Sequence, residues 1–175
     1  MNERPDFLKI CKDKLLTPES FVPIKNQLKN FRKKIVFTNG CFDILHRGHL
    51  EYLMQASMQG DYLVIGLNTD ASVRSQNKSP ERPLNDEVTR AIQLGALHFV
   101  DCIILFDENT PEKLIHVIEP DVLVKGGDYD ANETQPDDKK YIVGSDFVKN
   151  RNGKVITIPL VEGYSTTHII QKLKK

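Results

Sequence analysis

The chain has 175 residues, of which 39% are hydrophobic and 27% charged, a composition typical of one globular domain with its own core. Its 24 basic and 24 acidic residues balance, so there is no electrostatic reason to expect a nucleic acid or an anionic membrane as the main partner. Three cysteines without CxxC spacing fit a reducing compartment, and no apolar run approaches the roughly 20 residues that span a bilayer. We therefore expect a cytoplasmic protein.

The first 32 residues predict a helical extension. A polar lead-in is followed by Thr17 and Pro18, a helix cap with proline at the first helical position. The apolar residues after them form a narrow stripe at helical spacing: Phe21, Ile24, Leu28 and Phe31. We predict a helix to about residue 32 that packs on the main domain or on a second subunit, and a main domain over residues 33–175.

Residues 37–49 carry the first motif, which reads FTNGCFDILHRGH. It follows a short apolar strand pattern and leads into a helical one, so it is predicted to be a strand, a turn and a helix start. Gly40 permits the turn, and Gly48 lets something come close to the backbone. His46 and His49 flank that gap, and the free N–H groups of a helix start attract anions, which suits a phosphate chain.

Two other interpretations of this motif stay open. Both histidines could simply satisfy backbone groups of the turn. Alternatively Cys41, His46 and His49 could bind zinc, although a fourth ligand is lacking nearby.

Four further strands are predicted over residues 62–67, 101–106, 121–124 and 155–158, separated by helical patterns. Asn68-Thr69-Asp70 follows the first of them, at the edge where open α/β sheets bind ligands, although it could equally cap the next helix. Residues 74–82 lack an apolar period and predict a surface loop whose basic residues could close over a polyanion. Arg90 lies in the following helix and is expected to point at the site.

The strand at 121–124 is followed directly by Lys125-Gly126-Gly127-Asp128. The lysine ammonium can reach a phosphate while the glycines leave room for the ligand. Residues 128–140 open like a calcium loop, but Glu133 and Lys139 stand where that loop requires a glycine and an acid. We predict a surface excursion there.

The last motif precedes the terminal helix. Ser165, Thr166 and Thr167 follow Gly163 and bring hydroxyls to a helix N-terminus. This arrangement favours a phosphate seat, whereas a single helix cap would need only one of the hydroxyls.

These motifs resemble those of a known superfamily. The pattern G-x-F-D-x-x-H-x-G-H from Gly40 to His49 resembles the first signature of the nucleotidyltransferases that include cytidylyltransferases. Residues 160–166 are similar to the second signature, RTEGIST, but Leu160 occupies the arginine position, which counts against glycerol-3-phosphate and choline-phosphate cytidylyltransferases. Over residues 33–175 the chain is more similar to the D-glycero-β-D-manno-heptose 1-phosphate adenylyltransferases, through NTDAS, RPLN, LGAL, LVKGGDY and STT.

The resemblance implies a Rossmann-like α/β fold, with a five-stranded parallel sheet in the order 3-2-1-4-5 and helices on both faces. It implies transfer of AMP from ATP to a heptose 1-phosphate, with Mg²⁺ on the phosphates, for cell-envelope polysaccharide synthesis. A separate sugar kinase and a homodimer are expected, and no metal ligands from protein side chains. A CTP-dependent polyol-phosphate cytidylyltransferase and a silent nucleotide-binding module are the alternatives.

Each candidate residue then has an expected role. Catalysis is assigned to His46, His49 and Lys125. Nucleotide binding is assigned to Asn39, Gly40, Cys41, Phe42, Gly48, Asn68, Asp70, Arg90, Ser165, Thr166 and Thr167. Binding of the sugar phosphate is assigned to Asp43, Gly126, Gly127 and Asp128.

Overall fold

The computed structural model describes residues 5–76 and 81–173. Its elements in chain order are α1 Phe7–Asp13, β1 Leu15–Leu16, α2 Pro18–Asn30, β2 Ile35–Gly40, α3 Arg47–Ser57, β3 Tyr62–Asn68, α4 Asp70–Ser75, α5 Glu87–Gly95, β4 Cys102–Phe106, α6 Glu112–Ile118, β5 Val122–Gly126, α7 Ser145–Asn150, β6 Lys154–Ile158 and α8 Thr166–Leu173. Residues 77–80 of the predicted surface loop lie outside the described residues. Within the described ranges, no helix is both long and apolar enough to cross a membrane.

The strands form one parallel six-stranded sheet in the order β1-β4-β3-β2-β5-β6. The five predicted strands and their order are confirmed, since β4-β3-β2-β5-β6 is the predicted 3-2-1-4-5. The prediction was one strand short, because β1 pairs with β4 through Leu15 opposite Ile103 and Leu16 opposite Ile104. A strand of two residues shows no alternation of apolar and polar positions, so its sequence carries no strand signal.

Residues of the N-terminal extension pack directly against the rest of the molecule. Phe21 of α2 is fully buried, and Lys25 forms an ion pair of 2.9 Å with Glu119 at the end of α6. Glu119 also pairs with Lys29 and Arg151. The ammonium groups of Lys29 and Lys25 lower the pKa of Glu119 to about 2. This charge cluster attaches α2 to α6.

The sheet is covered on both faces, as expected for parallel strands. Val36 of β2 belongs to a core under α3 and α5, which includes Leu53 and Leu94. Its neighbours Ile35 and Phe37 point to the opposite face and join a core formed with α2, α6 and α7. Because all strands are parallel, their carboxyl ends lie at one edge, and ligand sites of open α/β sheets lie there.

Candidate active site

A cleft of about 710 Å³ opens at the carboxyl ends of the strands. It brings together the following predicted site residues: Asn39, Gly40, Cys41, Phe42, His46, Gly48, His49, Asn68, Lys125, Gly126, Asp128, Ser165, Thr166 and Thr167. The other predicted residues, Asp43, Asp70, Arg90 and Gly127, do not line it.

The turn between β2 and α3 depends on two glycines. Phe42 is buried with a positive φ of 44°, and a Cβ on Gly40 would lie only 3.0 Å from its ring. A Cβ on Gly48 would lie 3.1 Å from His46 Nδ1 and 3.2 Å from Tyr164 Cβ. The room at Gly48 is therefore used by side chains of the protein itself, which was not expected from the sequence.

The two histidines of the turn are stacked, with ring centroids 3.8 Å apart and planes 19° apart. His46 caps α3, and its Nδ1 accepts the N–H of His49 at 3.3 Å. His49 Nδ1 lies 3.2 Å from the carbonyl oxygen of Ile44, and because a carbonyl only accepts, this nitrogen carries the hydrogen. Neutral His46 thus carries its hydrogen on Nε2, whereas neutral His49 has a lone pair there.

Burial favours the neutral form of both imidazoles. It lowers the pKa of His46, and it lowers the pKa of His49 to about 4 with further contributions from His46 and Arg82. The Ile44 carbonyl opposes this shift in part. A bound anion would favour the protonated forms, so the histidine pair can gain positive charge when a phosphate arrives.

The geometry does not support a zinc site at this turn. The thiol of Cys41 lies 3.8 Å from Asn68 Oδ1 and 3.6 Å from Gln76 Oε1, and these amide oxygens are its hydrogen-bond acceptors. Across residues 5–76 and 81–173, no group of three His, Cys, Asp or Glu side chains is placed to hold a metal ion.

Lys125 joins the ends of β5 and β2. Its Nζ donates to Asn39 Oδ1 at 2.6 Å and lies 5.2 Å from the centroid of the Tyr129 ring. The strand order predicts this proximity, because β2 and β5 are neighbours. The ammonium is thereby held at the floor of the cleft.

Tyr52 of α3 lines the cleft although the sequence predicts no role for it. Its buried hydroxyl donates to Val124 O at 3.1 Å and lies 2.7 Å from Thr38 Oγ1. Burial raises its pKa, so it remains a phenol that links α3 to β2 and β5. The available signal was Thr38, the first polar residue after the apolar run at the start of β2.

Helix capping was the alternative to ligand binding for two polar motifs, and the structure shows a cap in both. Ser165 Oγ accepts the N–H of His168 at 3.1 Å, and Thr69 Oγ1 accepts the N–H of Ser72 at 3.1 Å. Thr166 and Thr167 still line the cleft, so the start of α8 presents hydroxyls beyond the one that caps it.

Arg90 was expected to point into the cleft, but it lies beneath the turn between β2 and α3. It is fully buried, and its guanidinium donates to Cys41 O at 2.7 Å, Asn85 O at 3.0 Å and Asp70 Oδ1 at 2.7 Å. Asp70 is thereby placed beside this arginine at the start of α4. The pair supports the turn from behind.

Asp43 is likewise buried and anchors the segment that leads into α5. Its Oδ1 accepts the N–H groups of Leu84 at 2.8 Å and Asn85 at 3.0 Å. Gly127 lies against the end of β6, where a Cβ would be 3.3 Å from Pro159 Cα. Hydrogen bonding therefore explains the position of Asp43, and close packing explains that of Gly127.

Several residues with no predicted role also line the cleft. They include Gln76, Asn109, Tyr129 and Tyr164. Arg82, a basic residue of the predicted loop, lines the cleft as well. The excursion at 128–140 is more than surface, since Pro136, Asp138 and Lys139 line the cleft too.

A protein-family model described as cytidylyltransferase-like matches residues 37–172. The chain belongs to this family. The matched segment runs from β2 into α8. It contains the turn between β2 and α3, Lys125 and the hydroxyls at the start of α8.

Relatives of this cytidylyltransferase-like chain include proteins named bifunctional protein HldE. The chain is 47% identical over 162 residues to the protein of Wolinella succinogenes, covering 93% of this chain and 31% of that relative. It is 52% identical over 141 residues to the protein of Geobacter metallireducens, covering 81% and 27%. The chain therefore spans less than a third of the length of these relatives.

Solved structures share the fold. The lipopolysaccharide core biosynthesis protein from Thermoplasma volcanium is 28% identical with a TM-score of 0.56, over 76% of this chain and 99% of that one. Pantoate-beta-alanine ligase from Francisella tularensis is 16% identical with a TM-score of 0.58, over 91% and 76%, and shows likeness of fold alone.

Proposed function

We propose that the chain is an adenylyltransferase that moves AMP from ATP to a sugar 1-phosphate, specifically D-glycero-D-manno-heptose 1-phosphate, and releases pyrophosphate. One observation carries the proposal: the stacked histidines, Lys125 and the hydroxyls of α8 all line a single cleft. About half of the residues are identical to those of proteins named HldE over most of the chain, which supports the choice of substrate. The products would serve cell-envelope polysaccharide synthesis.

The reaction would proceed by in-line attack of a sugar-phosphate oxygen on the α-phosphorus, with the bond to pyrophosphate breaking. No protein nucleophile is required. His46 and His49 would hold the phosphate chain, Lys125 would neutralise charge on the transferring group, and Ser165 and Thr166 would hold the departing pyrophosphate. The sugar phosphate is already an anion, so no general base is needed to form the nucleophile.

Magnesium would arrive with ATP as part of the substrate. The proposal assigns the ligands of Mg²⁺ to the phosphates, because no three His, Cys, Asp or Glu side chains converge among the described residues. Phosphate oxygens are the usual ligands of Mg²⁺ in such cases.

The proposal places the protein after a sugar kinase, which would make the sugar 1-phosphate. A homodimer in the cytoplasm is the assembly and location we propose. Sedimentation of the purified protein would test the dimer.

Pyrophosphate release tests the activity. The protein would be incubated with each nucleoside triphosphate and a panel of sugar and polyol phosphates, and ATP with heptose 1-phosphate should give the fastest release. Preference for CTP with glycerol 3-phosphate would favour a polyol-phosphate cytidylyltransferase instead. Retained ATP binding without turnover of any pair would favour a silent binding module.

A further inference from the structure

The cleft has two chemically different halves on either side of β2. The half at the ends of β3 and β4 carries amides and a hydroxyl beside the apolar Phe106 and Pro111: Asn68, Gln76, Asn109 and Thr110. The half at the ends of β5 and β6 presents partly exposed aromatic and aliphatic side chains beside the charged Lys125 and Asp128: Tyr129, Leu160 and Tyr164. Amides and hydroxyls can bind the hydroxyls of a sugar, whereas apolar rings suit the faces of a planar base.

The direction of displacement favours the same division. Between β6 and α8, Leu160 packs against Gly126 of β5 and Tyr164 packs against Gly48 of α3. A pyrophosphate held by Ser165 and Thr166 would then lie between the start of α3 and the β5 and β6 half. In an in-line reaction the attacking oxygen approaches from the side opposite the leaving group. The acceptor phosphate then lies on the β3 and β4 side.

Arg82 lies just before α5, which packs on β3 and β4, and it supplies a cation to that side of the cleft. Its side chain is 15% exposed and lines the cleft, and its Nε lies 3.6 Å from Asp43 Oδ2. This distance joins two opposite charges without a hydrogen bond. Among the described residues, Asp43 Oδ2 is buried and accepts no hydrogen bond, while Oδ1 fixes the backbone at Leu84 and Asn85. Asp43 thus attracts the guanidinium of Arg82 by its charge. It also fixes the backbone just after Arg82, because it binds the N–H groups of Leu84 and Asn85.

We infer that Arg82 binds the phosphate of the acceptor, and that the amide-lined half beyond it takes the acceptor's sugar hydroxyls. This inference rests on the proposed function and names the part of the site that selects the acceptor. It assigns Asn68 to the sugar phosphate and leaves the aromatic half to the base, the reverse of the roles expected from the sequence. Asp43 is then a positioning residue that aims Arg82.

The test compares Arg82→Gln with Arg74→Gln. Arg74 is an exposed arginine of α4 that does not line the cleft, so its variant is the matched control. Steady-state kinetics would vary the sugar phosphate at saturating ATP, and then ATP at saturating sugar phosphate. Loss of a charge-assisted contact should raise KM for the sugar phosphate about tenfold or more in Arg82→Gln, with KM for ATP nearly unchanged.

Asp43→Asn distinguishes the positioning of Arg82 from a general role of Asp43 in folding. The amide oxygen can still accept the two backbone N–H groups, whereas the negative charge that faces Arg82 is lost. The variant should raise the same KM without changing the melting temperature by more than about 3 °C. A rise in KM for ATP alone, or an unchanged KM for the sugar phosphate in Arg82→Gln, would overturn the inference while leaving the adenylyltransferase activity intact.

The inference also has a test if no sugar phosphate is turned over. Mannose 1-phosphate would then be titrated calorimetrically into the protein carrying a non-hydrolysable ATP analogue. Binding to the wild type and to Arg74→Gln, but not to Arg82→Gln, would support Arg82 as the anion-binding residue although the proposed reaction had failed. Equal binding to all three proteins, or none to the wild type, would refute it.

Discussion

Replacing Arg90 by methionine tests whether this residue supports the turn between β2 and α3 or contacts the proposed nucleotide. Methionine has a similar length and no charge, so Arg90→Met removes three hydrogen bonds from a fully buried guanidinium. The carbonyls of Cys41 and Asn85 lose their donor, and the carboxylate of Asp70 loses its ion pair. Breaking a buried pair in this way costs about 3–5 kcal/mol, and the lower end applies because the Asp70 side chain is 21% exposed.

We therefore expect Arg90→Met to lower the free energy of unfolding by about 3 kcal/mol. For a domain of this size that loss corresponds to a fall in Tm of roughly 6–12 °C. Urea unfolding followed by circular dichroism would measure the change. The double variant Arg90→Met with Asp70→Asn should recover about 1 kcal/mol or more, because the unpaired carboxylate is gone.

One result would refute this reasoning. If Arg90→Met unfolds at the wild-type urea concentration but binds ATP more weakly, Arg90 acts on the nucleotide and the burial of its guanidinium does not describe its role. Weaker ATP binding together with lost stability agrees with a turn that has lost its support.

Three further predictions concern the cleft. Lys125→Ala should lower kcat on the order of 10²-fold with the fold intact, and an unchanged kcat with a lower Tm would show that Lys125 is structural. His49→Ala should lower kcat by about 10²–10³-fold. The wild type should invert the configuration at the α-phosphorus of a chiral phosphorothioate analogue of ATP, whereas retention would indicate a phosphohistidine intermediate. Burial lowers the pKa of His49 in the folded protein to about 4, from the 6.5 of an unperturbed histidine. Between these two pH values the unfolded chain binds a proton that the folded protein does not, so the free energy of unfolding falls as the pH falls. Relative to His49→Gln, the wild type should lose about 2 kcal/mol between pH 7 and pH 5, and parallel pH profiles of unfolding would contradict this.

Sequence patterns were sufficient for the central sheet because each of its five longer strands is an apolar run followed by a turn signal. The order of these strands also brought His46, His49 and Lys125 to one edge. The helix at Phe7–Asp13 and β1 were missed, because seven residues with no buried position and two residues of strand have no clear period. Their structure is set by contacts with distant residues, such as the bond from Ile103 N to Lys14 O at 2.8 Å.

The spacing of residues in the sequence could not decide on which side of the turn between β2 and α3 each charged residue lies. Arg90 lies on a helix next to the site whether it points into the cleft or lies beneath it. Its place depends on three acceptors that are 5, 20 and 49 residues away in the sequence. Asp43 belongs to the motif itself, yet its partners Leu84 and Asn85 are known only once the chain is folded.

The shortest strand has a practical consequence for anyone who trims this chain. β1 covers the outer edge of β4, whose residues Cys102–Phe106 read CIILF. Cutting at residue 32 would keep every residue that lines the cleft but would leave the outer edge of β4 open. Its backbone groups would then be unpaired on an uncharged, strongly β-forming segment. Such edges recruit strands from other molecules, so the shortened protein should aggregate even though its active site is complete.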